Sequence, residues 1–447
     1  MKEITEIFKS FENSERNNDV YNVLLKKIPF WTYIRPTVLN QVVKKNNLGE
    51  GNKSSFKFKL DKLIKTTLIG IRDLIRINRI TKIDYLFFES SRRISDKEPY
   101  CSQFYEIIEK DKYMKLCYSE RWSYDEEILY LNFFKGIFYF ISIIMSPFSF
   151  LTFKQCDVQR IKNTISDIQE DLRIPLKRKY FELLFWYFFF TYLIKKSKPA
   201  KVFFVSNTFF IPLIAVCEKY NVETMEIQHG VISTYSVNYN FSNLNRKYFF
   251  ADNLLLLGSS WLFVNSFIPS GSKTIVIGNN ILSKQFSAQS KKSHILFISQ
   301  KIIRKYLIKF IVTNCDILKN ELILFKLHPR EFPDVKTIQE DLSGLSLNRL
   351  NIITNEKSLD ELLIDSKLNI GCYSMALIEG VQMNIPTIVI NSPLSKVIDF
   401  LVFDKLQYVS YNDKLSELPI SLSSENALKP DYFSSSNIKA LEQIVRI

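Results

Sequence analysis

The stretch LNIGCYSMALIEGVQMNIPTIVI, residues 368–390, decides the fold. A β-rich run ends at Cys372, an amphipathic run covers Met375 to Met383, and a second β-rich run covers Thr387 to Ile390. Two strands joined through a helix belong side by side in a parallel sheet. Ser374 takes the N-cap position between strand and helix, so its hydroxyl and the unsatisfied backbone N–H groups of the first turn point outward.

Upstream the alternation continues. The pattern predicts a strand at His294 to Ser299, a helix at Lys301 to Leu318, strands at Leu322 to Leu327 and Asn351 to Thr354, and a helix at Leu359 to Ile364. Repeated βα units of this kind build a Rossmann-like sheet. A second series lies earlier, with strands near Lys201 to Val205, Glu223 to Ile227, Asn253 to Leu257 and Thr274 to Ile277, a helix at Pro212 to Tyr220, and a further strand at Asp84 to Phe88. The polar run SKQFSAQSKKS, Ser283 to Ser293, reads as a linker. The expected fold class is therefore α/β, with two Rossmann-like domains, 1–282 and 283–447, facing a cleft. A helical, aromatic-rich insertion at 120–195 interrupts the first.

The 447 residues are 46% hydrophobic and 24% charged, a globular balance. A formal charge of +14 favours anionic partners, but the basic clusters are scattered and carry no RNP, zinc-finger or helix-turn-helix pattern, so nucleic acid is not expected. The six cysteines form no CxxC pair, which argues against a zinc ribbon or a disulfide framework; they are expected to be small buried residues. The start, MKEITEIFKSFENSER, lacks the apolar core of a signal peptide, and a cytoplasmic location is expected. Two apolar stretches, 136–153 and 180–194, fit buried core helices and membrane contact equally well. The second, followed by KKSKPAK, has the composition of an interfacial belt beside a basic anchor. An anionic inner-membrane surface is accordingly an expected partner, met peripherally from the cytoplasmic side.

Three histidines are present. His328 ends LILFKLHPRE, where Pro329 stops the strand and Arg330 adds a fixed positive charge; the trio suits phosphate recognition, against the plainer reading of a strand-end turn. The helix start at Ser374 is a second anion site, and Glu379 one turn on either accepts hydrogen bonds from ribose hydroxyls or is an ordinary helix glutamate. His229 and Gly230 form a turn after an apolar strand, so His229 is either a general base toward an acceptor hydroxyl or a satisfied turn residue. Gln228 and Tyr235 or Tyr239 would orient that acceptor. No DxD at a strand end, HExxH or histidine-carboxylate cluster is present, so no metal and no cofactor is expected. The lack of a Walker loop and of GxGxxG argues against a P-loop ATPase and a dinucleotide oxidoreductase.

The order QHG, GSSW, VIGN, LFISQ, KLHPRE, YSMALIEG resembles bacterial capsule and O-antigen glycosyltransferases of the GT-B fold, over roughly Lys201 to Ile390. It is also similar in layout to CDP-glycerol glycerophosphotransferases and to bacterial sialyltransferases with an HP motif. By this resemblance His328 and Pro329 match the HP motif, Ser374 the donor-phosphate serine, Glu379 the helix acid and His229 the first-domain histidine. The sialyltransferase pattern often pairs two serines or threonines, whereas Met375 follows Ser374 here. The resemblance implies sugar transfer from a nucleotide-sugar donor in the second domain to a glycan or lipid-linked acceptor in the first. Polyol-phosphate transfer from a CDP-alcohol and a non-catalytic role in membrane polysaccharide assembly are the alternatives.

Overall fold

The structure is a computed structural model that describes residues 3–46, 70, 72–89, 99–117, 128–151, 154–206, 209–241, 250–280, 283, 293–345, 347–401, 406–417 and 430–446. The first two strands, β1 (Leu24–Leu25) and β2 (Ile28–Pro29), form a hairpin. Lys26 and Lys27 make its turn at φ 51° and 69°, the left-handed pair that suits the twist of a two-residue loop.

The first large sheet contains β3 (Tyr85–Glu89), β4 (Tyr113–Cys117), β5 (Ile128–Tyr130), β6 (Lys201–Val205), β7 (Glu223–Ile227), β8 (Asn253–Leu256) and β9 (Lys273–Val276). All are parallel, in the order β5-β4-β3-β6-β7-β8-β9. The second contains β10 (His294–Ile298), β11 (Ile323–Lys326), β12 (Leu350–Ile353), β13 (Ser366–Gly371), β14 (Thr387–Ile390) and β15 (Leu406–Val409), also parallel, in the order β12-β11-β10-β13-β14-β15. Each sheet starts in the middle, grows to one side, then returns and grows to the other. This is the doubly wound Rossmann order, with switch points at β3/β6 and β10/β13. The two-unit α/β expectation is met.

Several local expectations change. The helix expected over Lys301 to Leu318 is two pieces, Arg304–Thr313 and Cys315–Leu318. Buried Asn314 divides them: its amide donates to the carbonyls of Phe310 and Asp413 and accepts from the Leu415 N–H, tying a remote loop to the break. Cys101, Cys117, Cys217 and Cys372 are buried as expected, but Cys156 is exposed and Cys315 half-buried, because both sit on outward helix faces. Most of the expected linker, 284–292, lies outside the described residues.

Between β5 and β6 come the helices Asn132–Met145, Gln155–Ile168 and Leu176–Ser197. The aromatic-rich stretch 180–194 is mostly core, with Tyr180, Phe181, Leu183, Trp186, Tyr187, Phe190, Leu193 and Ile194 buried. Among the described residues no helix is long and apolar enough to cross a membrane.

The chain then crosses back. Residues 431–446 lie against the first sheet, where Ser259 donates through N–H and hydroxyl to the Asp431 carboxylate, and Trp261 Nε1 donates to the Tyr432 carbonyl at 3.0 Å. The glycines of GSSW and VIGN make room for this return. A Cβ on Gly258 would sit 2.1 Å from the Asp431 carbonyl, and one on Gly278, at φ +63°, 2.1 Å from that of Ser435. The units also meet where Trp261 and Phe263 pack on Phe400, and where the Ile4 N–H donates to the Pro393 carbonyl.

Candidate functional site

Three adjacent strands of the second sheet, β11, β10 and β13, end side by side at its switch point. Neighbouring strands lie about 4.8 Å apart, so the residues following β11 and β13 sit on the order of 10 Å from one another across that edge. His328 follows β11, Ser299 follows β10 and Ser374 follows β13. The sheet thus brings His328 and Ser374, which the sequence singled out separately, to one carboxyl edge.

His328 is held in a fixed orientation. Its N–H donates to Glu331 Oε2 at 3.1 Å, and its Nδ1 accepts from the Arg330 N–H at 3.2 Å. An imidazole nitrogen that accepts carries no proton, so in the neutral ring the proton resides on Nε2 and that nitrogen is a donor. Pro329 opens the short 3₁₀ helix Pro329–Asp334, and Pro329 and Arg330 are exposed.

Glu331 is the residue the sequence reading passed over. It is fully buried, accepts from the Ser299 hydroxyl at 3.0 Å, and forms an ion pair with Arg304 at 3.1 Å, besides holding the His328 N–H. Burial raises its carboxyl pKa, and the His328 N–H, Ser299 and Arg304 pull it back. The signal was present in KLHPRE: an acid three residues after a cap closes a capping box.

Ser374 caps Met375–Gln382, its Oγ accepting from the Ala376 N–H at 3.2 Å. The helix lies close on β13 because Gly380 lacks a side chain: a Cβ there would fall 2.3 Å from the Asn369 amide nitrogen, which itself donates to the Ala376 carbonyl. Glu379, one turn in, is half-buried as a residue, but its Oε2 is closed to solvent and makes no hydrogen bond. Burial first, then the charge of Asp360, push its carboxyl up to about 8. Glu379 is therefore largely a neutral acid near pH 7, able to donate as well as accept. Asp360, whose own carboxyl is raised by burial, was not picked out by the sequence.

In the first sheet, His229 follows β7 and is half-buried. Tyr100 donates its hydroxyl to the His229 carbonyl at 3.2 Å and meets the imidazole edge-on at 6.4 Å. Gln228 is fully buried and turned inward, its carbonyl accepting from the Leu257 N–H at 3.0 Å and its amide donating to the Gly230 carbonyl at 3.3 Å. Gly230 is not among the positive-φ glycines, so the turn bends without a left-handed residue there. Tyr239 is also inside, with its hydroxyl 2.6 Å from the buried carboxylate of Glu226. Tyr235 is half-buried with its ring edge-on to Phe8 at 5.9 Å, and burial raises its phenol pKa. The sequence could not tell these orientations apart, because a polar residue just after a strand serves a fold or a ligand equally well.

Among the described residues no group of three or more His, Cys, Asp or Glu side chains is placed to hold a metal ion.

No protein-family model and no curated protein sequence matches the chain. Solved structures with a similar course include UDP-GlcNAc 2-epimerase from Methanocaldococcus jannaschii, at 11% identity and TM-score 0.46, covering 81% of this chain and 99% of that one. UDP-GlcNAc 2-epimerase from Neisseria meningitidis bound to UDP-GlcNAc matches at 13% identity and TM-score 0.41, over 74% and 88% of the two chains. The lipopolysaccharide outer core galactosyltransferase WaaB matches at 11% identity and TM-score 0.37, over 69% and 80%. Likeness at this level carries no inference about activity; the strand orders alone make the chain two doubly wound α/β units.

Proposed function

We propose that this chain is a GT-B glycosyltransferase that moves a sugar from a nucleotide-activated donor to a glycan or lipid-linked acceptor in bacterial surface polysaccharide biosynthesis, capsule or O-antigen, without a metal. One observation carries the reading: His328, whose Nδ1 accepts from the Arg330 N–H, and the capped helix start at Ser374 share the carboxyl edge of a Rossmann-ordered sheet at its switch point. A donor Nε2–H and outward helix N–H groups at one edge suit a diphosphate, and Arg330 adds positive charge beside them. In this reading the second unit binds the nucleotide, with Pro329 shaping the turn and Glu379 hydrogen-bonding the ribose. The first unit binds the acceptor near Gly230 and Tyr235, with Gln228 and Tyr239 bracing that loop from inside the fold, and His229 takes the proton from the attacking hydroxyl as it displaces the diphosphate at the anomeric carbon. The charge developing on the leaving group falls to His328, Arg330 and the Ser374 helix. The net charge of +14 supports work at the anionic cytoplasmic face of the inner membrane.

Calorimetry with UDP, GDP, CDP and CMP on the whole chain tests the donor site. At least one nucleotide is expected to bind, and His328→Ala or Ser374→Ala to weaken it by about 10- to 100-fold, the range of a lost hydrogen bond to a charged group. Binding of none, or unchanged affinity in both variants, overturns the proposal. A CDP-alcohol consumed in place of any nucleotide sugar would move the reaction to phosphoryl transfer.

A further inference from the structure

The helix Asn132–Met145 and the turn after it wear their apolar side outward. Phe134 and Phe138 face inward onto the Leu176–Ser197 helix, with ring centres 4.8 Å from Phe189 and 4.9 Å from Trp186. On the opposite side the exposed residues recur at helical spacing: Tyr139 and Phe140, Ile143 and Ile144, then Pro147 and Phe148. Phe140 is 63% exposed, Ile144 53% and Phe148 48%, and no charged residue occurs anywhere in 136–153. A contiguous outward row of this kind marks an interaction surface, unlike singly scattered exposed apolar residues.

Its border is cationic. Lys135 lies one turn before Tyr139 and is exposed, and Arg178 reaches Tyr139 from the neighbouring helix. The Arg178 guanidinium lies 4.7 Å from the centre of the Tyr139 ring, and its Nη1 donates to the Tyr139 hydroxyl at 3.3 Å. An aromatic at the boundary with a guanidinium over it is the arrangement used where an apolar body meets charged headgroups.

We infer that this face is a docking surface for an anionic lipid bilayer, with the Asn132–Met145 helix lying in the plane of the interface. Fourteen residues of helix extend about 21 Å, short of the ~30 Å apolar thickness, so the helix lies in the boundary without crossing. The exposed residues of the row are apolar or aromatic, with the Tyr139 hydroxyl already taken by Arg178, which suits acyl chains better than a folded protein partner. Lys135 and Arg178 supply the charge complementarity toward acidic headgroups. The structure thereby puts membrane contact on 136–148, where the side chains face out, while the stretch 180–194 that precedes KKSKPAK is largely spent on the core. The inference extends the location given under the proposed function, and its readout involves neither nucleotide nor acceptor, so either can fail without the other.

Flotation of the full chain with vesicles of phosphatidylcholine, with and without phosphatidylglycerol, tests it. The wild type is expected to float with the anionic vesicles, and less so as salt is raised. Phe140→Ser with Ile144→Ser, both on exposed positions, should lower partitioning at least tenfold while leaving the melting temperature near that of the wild type. Lys135→Gln with Arg178→Gln should remove the preference for phosphatidylglycerol and retain the weak binding to phosphatidylcholine. A wild type that stays off anionic vesicles overturns the inference, and so does a Phe140→Ser, Ile144→Ser variant that floats like it. A wild-type dimer that these serines dissociate, with no vesicle binding, would give the face to a second copy and equally overturn it.

Discussion

Arg35 and Glu15, both buried, form an ion pair 2.5 Å long, and the same guanidinium donates to the carbonyls of Val237 and Asn240 at 2.6 and 3.0 Å. Trp31 Nε1 donates to the other side of the pair, reaching Glu15 at 2.6 Å. The loop that follows His229 is thereby fastened to the two N-terminal helices Ile4–Asn17 and Phe30–Lys45. Arg35→Ala would leave the buried Glu15 carboxylate without its counter-ion, keeping the Trp31 donor, and would remove the guanidinium from two carbonyls, so it is expected to cost about 3–5 kcal/mol. Denaturant unfolding of the variant checks this, and a loss under about 1 kcal/mol would mean that water or a neighbour replaces the guanidinium.

Glu379 should make stability depend on pH. Its folded carboxyl titrates near 8 against an ordinary value of 4.5, so between those limits the folded state holds more protons than the unfolded one. Stability from this group is full at low pH and is lost as pH rises through that window. Glu379→Gln, always neutral, is expected to lack that slope and to exceed the wild type by about 1–4 kcal/mol once the carboxyl ionises. Unfolding free energies of both proteins across the window decide it; parallel curves would show that the carboxyl ionises freely in the fold.

Glu331 organises the turn that carries His328. Glu331→Ala takes the shared acceptor from the Ser299 hydroxyl, the His328 N–H and the Arg304 guanidinium, which keeps the longer approach to Asp334 at 4.0 Å, and the expected loss is roughly 3 kcal/mol. Nucleotide affinity should fall with it, since the His328 backbone loses its anchor and the imidazole keeps the Arg330 N–H on a loosened turn. Calorimetry at a temperature where the variant stays folded separates the two effects.

His229→Ala is expected to lower turnover by about 10² to 10⁴ with the true acceptor and to leave nucleotide affinity unchanged. Near-normal turnover would make His229 a turn residue, and a collapse of donor binding would overturn the division of labour between the two units.

Five strands of the second sheet, β10 to β14, could be read from the sequence because their cores HILFI, LILF, NII, LNIG and TIVI are mainly apolar and two of them are cut off by HP and YS. The edge strands β5 and β15, and β4 beside β5, were missed: YMKLC carries a lysine, ILY is too short to show a period, and LQYV alternates weakly. The break at Asn314 was hidden because its partners, Asp413 and Leu415, are remote in sequence. Glu379 looked like any exposed helix glutamate, and only packing reveals a carboxyl oxygen closed to solvent. The outward apolar row on Asn132–Met145 reads the same as a core helix, since periodicity fixes which residues share a side and not which side meets water.

The return of residues 431–446 to the first sheet has a consequence for the order in which the molecule is made. Lys201 Nζ donates to the Ile444 carbonyl 243 positions later, and the Tyr85 hydroxyl to that of Val445, 360 positions later. Every residue of the second sheet leaves the ribosome between these partners. The first unit therefore waits, with Gly258 and Gly278 uncovered, until its neighbour has been synthesised, and closing such distant contacts is slow. Maturation of this protein is expected to finish after translation has passed the second sheet, with the unit begun first completed last.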